Sequence, residues 1–229
     1  MKCKKILLIS FMLGLLTSSA FAQGSFREGE MFTYAIKKLG MKMGEASLVF
    51  SGESVYEGKK VLLITFTASA LNFFDQEKIY VDPKTFLPVA VQRDINIWGK
   101  KEKITEKYDP VKGSVEIIKI SGGKPHSEII NKEGGPLDNI YCFIYRYRKN
   151  GKMGAKQDMT MNLPTKQVTL RKVGSSRIKV AGEQFKSVVI ESVPRQYKVW
   201  FGPGPQKIPL RIDGAVGMAS TSLILSEYK

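Results

Sequence analysis

Cysteine and histidine are almost missing from this chain. Its 229 residues include two cysteines and one histidine. Cys3 precedes an apolar N-terminal run, so removal of that run would leave Cys142 alone. One thiol makes no intramolecular disulfide, so the fold must rest on its core. One histidine and one thiol also cannot assemble a His/Cys metal site. His126 lies in Gly122-Gly123-Lys124-Pro125-His126 and reads as a solvated turn side chain. Cys142, between Tyr141 and Phe143, reads as a small buried apolar residue. The chain has no G-x-S-x-G turn to hold a nucleophile, and no P-loop or dinucleotide fingerprint. The expectation is a non-enzyme with no cofactor, no metal and no catalytic residue. Two of the carboxylates Glu30, Asp75, Asp82, Asp94, Asp109, Asp138 and Asp213 could pair as acid and base. Nothing in the sequence places two together, and Asp82, Asp109 and Asp138 have turn or cap explanations.

Acidic charge is also short, with 21 Asp and Glu against 36 Lys and Arg, a net +15. Long apolar runs are confined to the start. Lys2, Lys4 and Lys5 precede Ile6–Leu16, which is broken only by Ser10 and Gly14. Ala20-Phe21-Ala22 then forms an A-x-A site. This is the pattern of a secretory signal peptide over residues 1–22, cleaved between Ala22 and Gln23. The run is short for a membrane span; a retained anchor is the alternative. The remainder, Gln23–Lys229, is read as one domain of 207 residues carrying +12. That length can bury a large core. A periplasmic or secreted location argues against nucleic acid as partner. The basic charge then points to envelope lipid head groups or acidic glycans, with membrane-surface association as one outcome. A plain solvated surface is the competing reading.

From Phe26 onward the chain alternates like strands between turns. Expected strands include Met31–Ile36, Glu45–Phe50, Lys60–Ala68, Gln76–Val81, Pro88–Ile97, Lys101–Tyr108 and Ser114–Ile120. A second set is Gln167–Val173, Arg177–Val180, Ser187–Val193, Gln196–Phe201, Ile208–Asp213 and Ser220–Tyr228. Lys60–Ala68 is apolar or small on both faces, which suggests a central strand covered on both sides. One segment differs. Pro136–Lys149 spaces Leu137, Ile140, Tyr141, Ile144 and Tyr145 as a helix stripe near 138–148. Asp138 is the expected cap, Asn150-Gly151 the stop, and Arg146 and Arg148 the last-turn cations. A strand through Cys142–Tyr147 is the alternative.

Two stretches echo each other. Gly58 through Val61–Ala68, Lys78–Pro83 and Leu87–Asp94 matches Gly182 through Val188–Val193, Lys198–Pro203 and Ile208–Asp213. Each has a strand, an aromatic-bearing strand, a Pro-containing turn and a third strand begun by proline. The fold class expected is all-β and mostly antiparallel: a strongly curved sheet or half-open barrel of two similar β-meander halves with one amphipathic helix. Chance likeness of hairpins is the competitor.

Phe26-x-x-Gly29-Glu30-x-x-x-Tyr34, followed by Gly40-x-x-x-Gly44-x-Ala46, resembles the opening of the DUF3108 family of exported bacterial proteins. Pro136-Leu137-Asp138-x-x-Tyr141 with Tyr145 and Arg146, and Ile208-Pro209-Leu210-Arg211-Ile212 with Gly217 and Leu223, resemble its middle and end. The resemblance spans nearly all of Gln23–Lys229 and implies no catalytic residues, because that family's function is unknown. More loosely, Asp82-Pro83-Lys84-Thr85-Phe86-Leu87-Pro88 is similar to hairpins of periplasmic lipoprotein carriers, which curve a sheet around an apolar hollow. Leu71, Phe73, Phe74, Tyr141 and Tyr145 are therefore the candidate ligand-binding residues, with folding back onto the core as the alternative. The function expected is non-catalytic envelope binding of a lipid, a lipid-linked molecule or a polysaccharide. The alternatives are a scaffold for an envelope protein partner and, lower, a carbohydrate-active enzyme.

Overall fold

A computed structural model describes residues 26–153, 158–216 and 221–229. The expected cleavage site at Ala22 and Gln23, and Gly217, lie outside the described residues. Eight strands form the first half: β1 (Glu30–Lys38), β2 (Met41–Tyr56), β3 (Lys59–Ala70), β4 (Phe73–Val81), β5 (Pro88–Ile97), β6 (Lys100–Asp109), β7 (Ser114–Ser121) and β8 (Lys124–Asn131). Helix α1 (Ile140–Asn150) follows. The second half is β9 (Asp158–Asn162), β10 (Gln167–Val180), β11 (Glu183–Val193), β12 (Lys198–Phe201), β13 (Pro209–Asp213) and β14 (Thr221–Tyr228). All fourteen join one antiparallel sheet in the order β8 to β1, then β14 to β9. Its first and last strands thus pair in the middle, Ile36 opposite Leu223, and β8 and β9 form the two free edges.

The sheet is strongly curved into a half-open barrel. On a flat sheet β3 and β12 would lie more than about 20 Å apart, at roughly 4.8 Å per strand. One helix nevertheless touches both: Tyr141 stacks on Phe66 of β3, and Tyr147 meets Phe201 of β12. A bridge between Leu137 and Asn162, with Asn162 donating to the Gly135 carbonyl at 3.1 Å, draws the segment after β8 onto the edge at β9. Alternation drives the wrapping, because period-2 residues such as Phe32, Tyr34 and Ile36 are all buried.

The two halves share a local irregularity. Register shifts between Tyr80 and Val81 opposite Pro88, and between Trp200 and Phe201 opposite Pro209. A proline that begins a strand cannot donate to the ladder, and each half absorbs it with a bulge at the matching aromatic position.

Several expectations need correction. Lys60–Ala68 is interior but not covered on both sides. Ile64, Phe66 and Ala68 are buried, whereas Leu63, Thr65 and Thr67 on the other face are half-buried. Gln167–Val173 and Arg177–Val180 are one strand, β10, continued through a bulge at Val173, beside Gly174 (φ +127°). β8 and β9 escaped notice because β8 is exposed on both faces and shows no alternation, and β9 is only five residues long.

The helix starts one residue later than expected. Asn139, not Asp138, is its cap, and its side chain accepts from the Tyr141 amide at 2.8 Å. Gly151 (φ 66°) ends it and donates to Tyr147 O. Arg146 and Arg148 do more than complement the helix dipole. Arg146 pairs with Asp138 at 2.5 Å, and Arg148 pairs with Glu30 where both side chains are fully buried. The helix is not a cover over an outer face. It lies inside the curve of the sheet, with eight of its eleven residues buried, as a helix apolar nearly all round must.

Candidate functional site

A hollow of about 300 Å³ lies beside the N-terminus of the helix. The inward face of β4 reads Phe73, Asp75, Glu77, Ile79 and Val81, so two carboxylates interrupt an apolar stripe, and all five are buried. Registry places Arg93 of β5 opposite Glu77, and Glu106 of β6 opposite Val91. Arg93 grips Asp75 through two bonds of 2.7 and 2.5 Å and lies 3.3 Å from Glu77. The Tyr108 hydroxyl donates to Glu106. The facing wall comes from the second half. Leu163–Thr165, Gln196, Tyr197 and Ala215 meet Asn139 and Tyr141 of the helix start. Gln196 donates to the Tyr197 hydroxyl at 2.9 Å, and its Oε1 is buried without a partner.

Electrostatics set this hollow apart. Burial pushes Glu77 up from its ordinary 4.5 to about 7, against the pull of Arg93 and with help from Asp75 and Glu106. Glu106 is also raised by burial, though the Tyr108 bond opposes this. Burial works to lower Arg93, but its bond to Asp75 and the nearby Glu77 carboxylate raise it overall. Burial moves Tyr197 up to about 12 and Tyr141 well above its ordinary value. Three carboxylates therefore face one guanidinium, and burial raises Glu77 and Glu106.

This has a consequence for stability. Between pH 4.5 and about 7 the folded protein keeps the Glu77 proton that the unfolded chain has released. The proton's contribution is fully present at low pH and is lost as pH rises through that window, by roughly 3 kcal/mol. Thermal midpoints should fall from pH 5 to pH 8, and Glu77→Gln should flatten the slope. A wild-type midpoint that rises towards pH 8 would contradict this environment for Glu77.

The residues expected from sequence do not converge. Leu71 projects from the β3–β4 turn and Phe74 is part-exposed on the outer face. Phe73 and Tyr145 are packed in the core, where Tyr145 meets Phe26 and Phe50. Only Tyr141 reaches the hollow. Of the carboxylates considered, Asp75 joins this cluster and Asp138 borders it. Glu77, Arg93, Glu106, Tyr108 and Tyr197 were missed. Their signal was the charge at the inward positions of otherwise apolar stripes. His126 is exposed on β8, and Cys142 is buried, with its thiol pushed well up by that burial. Among the described residues no group of His, Cys, Asp and Glu could hold a metal ion, and no helix is long and apolar enough to cross a membrane.

Residues 31–221 match the model of DUF3108, described as a protein of unknown function. No curated protein matches the chain. Among solved structures it is similar to a β-barrel-like protein of domain of unknown function DUF1849 from Brucella abortus. That likeness has a TM-score of 0.52 at 9% identity, covering 87% of this chain and 96% of the other. At such identity it speaks to the fold alone. A protein from Parabacteroides distasonis described as a candidate lipoprotein aligns with a TM-score of 0.30 at 9% identity, covering 90% of this chain and 98% of the other.

Proposed function

The chain belongs to the DUF3108 family, described as a protein of unknown function, and from that premise we propose that it is a non-catalytic binding protein of the bacterial cell envelope whose hollow holds a neutral or amino-bearing sugar. The observation that carries this reading is the lining of the hollow by Glu77, Arg93, Glu106, Tyr108, Tyr141 and Tyr197. Carboxyl oxygens accept from sugar hydroxyls or an amino group. Arg93, Asn139 and Gln196 offer polar edges, and tyrosine rings give the apolar faces on which a sugar ring lies. The excess of acid disfavours an acidic glycan here, whatever the net charge of the whole chain. The apolar hollow that a lipid carrier needs is occupied by α1. The envelope address draws on the leader pattern of residues 1–22.

A carbohydrate-active enzyme is the second reading, because Glu77 and Glu106 line one cleft. It fits less well. Such catalysis needs one carboxylate free to act as base or nucleophile, whereas Glu106 is bonded by the Tyr108 hydroxyl, Glu77 lies against Arg93 and Asp75 is held by Arg93.

Native mass spectrometry of protein purified from its own envelope fraction tests the proposal. A saccharide-sized adduct is expected, and it should be lost in Glu106→Gln/Tyr197→Ala. An adduct that survives both substitutions, or only acyl-sized adducts, would overturn it.

A further inference from the structure

Strand registry fixes which turns share an end of the barrel. Lys38 pairs with Thr221, Lys198 with Asp213 and Thr169 with Val193. The β1–β2, β3–β4, β5–β6 and β7–β8 turns therefore lie at the same end as the β9–β10, β11–β12 and β13–β14 connections. Among the described residues, nine of the thirteen exposed large apolar side chains sit at that end, and only Val55 and Val111 flank turns at the other. Three successive hairpin tips present Leu39, Leu71 and Trp98, which are 86%, 88% and 75% exposed. Neighbouring hairpins are roughly 10 Å apart at two strands each. Two of the tips also touch, since the Trp98 amide donates to Asn72 O at 2.8 Å.

The turns make this placement harder to dismiss. Leu39 and Trp98 each precede a glycine and have φ of 50° and 53°. That left-handed conformation suits Asn or Gly and is costly for bulky side chains. The same two-residue geometry recurs at the opposite end as Glu57-Gly58 and Ala181-Gly182. There the position carries a charged or a small residue. Folding therefore does not demand Leu or Trp at these tips.

Charge at this end is basic. Its acids Glu45, Asp94, Glu102, Glu191 and Asp213 are paired with Lys42, Lys103, Lys119, Lys198 and Arg211. Lys37, Lys38, Lys100 and Lys101 form no ion pair among the described residues.

We infer that this end of the barrel docks on an anionic phospholipid surface, inserting the tips of three hairpins between head groups while the flanking lysines meet lipid phosphates. Apolar and aromatic tips alternating with uncompensated lysines are the composition of interfacial membrane contacts. The core of a protein–protein interface is instead depleted of lysine. The turns lining the sugar-binding hollow, at 163–165, 196–197 and 214–215, lie at this same end. If the pocket reading holds, docking turns the hollow towards the head-group layer.

The test uses the full chain in a Trp200→Phe background, which leaves Trp98 as its one tryptophan. The apolar leader has none, so the signal reports this tip alone. Vesicles of phosphatidylethanolamine with one quarter phosphatidylglycerol, carrying brominated acyl chains, should blue-shift and quench Trp98. Leu39→Asp and Leu71→Asp should each weaken partitioning about tenfold, as should Lys100→Gln/Lys101→Gln. Val111→Asp at the opposite end should leave it unchanged, and Glu106→Gln/Tyr197→Ala should bind vesicles as the parent does even if sugar binding is lost. Unmoved Trp98 emission, or equal loss from Val111→Asp, would overturn the inference. So would a dimer in sedimentation that Leu71→Asp abolishes, because a second copy would then cover these tips.

Discussion

Glu30→Ala should destabilise the protein by about 3–5 kcal/mol, read as a lowered denaturant midpoint. Glu30 begins β1 and Arg148 lies in the last turn of α1, 118 residues apart, and both side chains are fully buried. The carboxylate receives both terminal nitrogens of the guanidinium and the Tyr228 hydroxyl at 3.1 Å. The Arg148 Nε donates to Gln206 O at 3.0 Å, and the rings of Phe26, Phe32 and Tyr145 surround its charge. Removing the carboxylate leaves a desolvated cation where water cannot reach it. Desolvation makes the intact pair itself only weakly stabilising. The double substitution Glu30→Leu/Arg148→Met should therefore recover most of the loss. A single substitution costing less than about 1 kcal/mol would mean that solvent enters this site.

Ile144→Asp should cost at least as much, several kcal/mol, because it sets an unpaired carboxylate in the middle of the core. Ile144 has no exposed surface and lies on the turn of α1 between Tyr141 and Tyr147. Those rings stack on Phe66 of β3 and meet Phe201 of β12. The helix is the shared filling of both halves, so the damage should appear as loss of the whole cooperative transition. Leu71→Asp is the matched control. It carries the same charge into an exposed hairpin tip and should stay within about 0.5 kcal/mol. Equal melting temperatures for Ile144→Asp and the parent would show that α1 does not fill the sheet.

The parts of this fold that were legible in sequence are those written in short-range periodicity. Phe32, Tyr34 and Ile36 alternate, and Ile140, Tyr141, Ile144 and Tyr145 recur at helical spacing. Prolines 88 and 209 mark the two meanders, and both stand opposite register shifts. What was not legible depends on closure. A stripe on α1 does not say whether the helix lies on a sheet or inside one, and the answer came from its contacts with both β3 and β12. The buried polar cluster needed register as well. Asp75 and Arg93 are 18 residues apart and meet because their strands are neighbours. Yet Asp75 and Glu77 occupy inward positions between Phe73 and Ile79. A charge at an inward position of an apolar stripe was the available clue, and of the Leu71–Phe74 cluster Phe73 shares that inward face while Phe74 points outward and Leu71 lies in the turn.

A binding role for this protein requires an occupant in the hollow at the helix start. Calorimetric titration with neutral and amino-bearing oligosaccharides released from the cell's own envelope measures this directly. The predicted result is one saturable site, lost in Glu106→Gln/Tyr197→Ala and unaffected by Leu71→Asp. Saturable binding of a fatty acid that competes with no sugar, or sugar binding that survives the pocket substitutions, would contradict it.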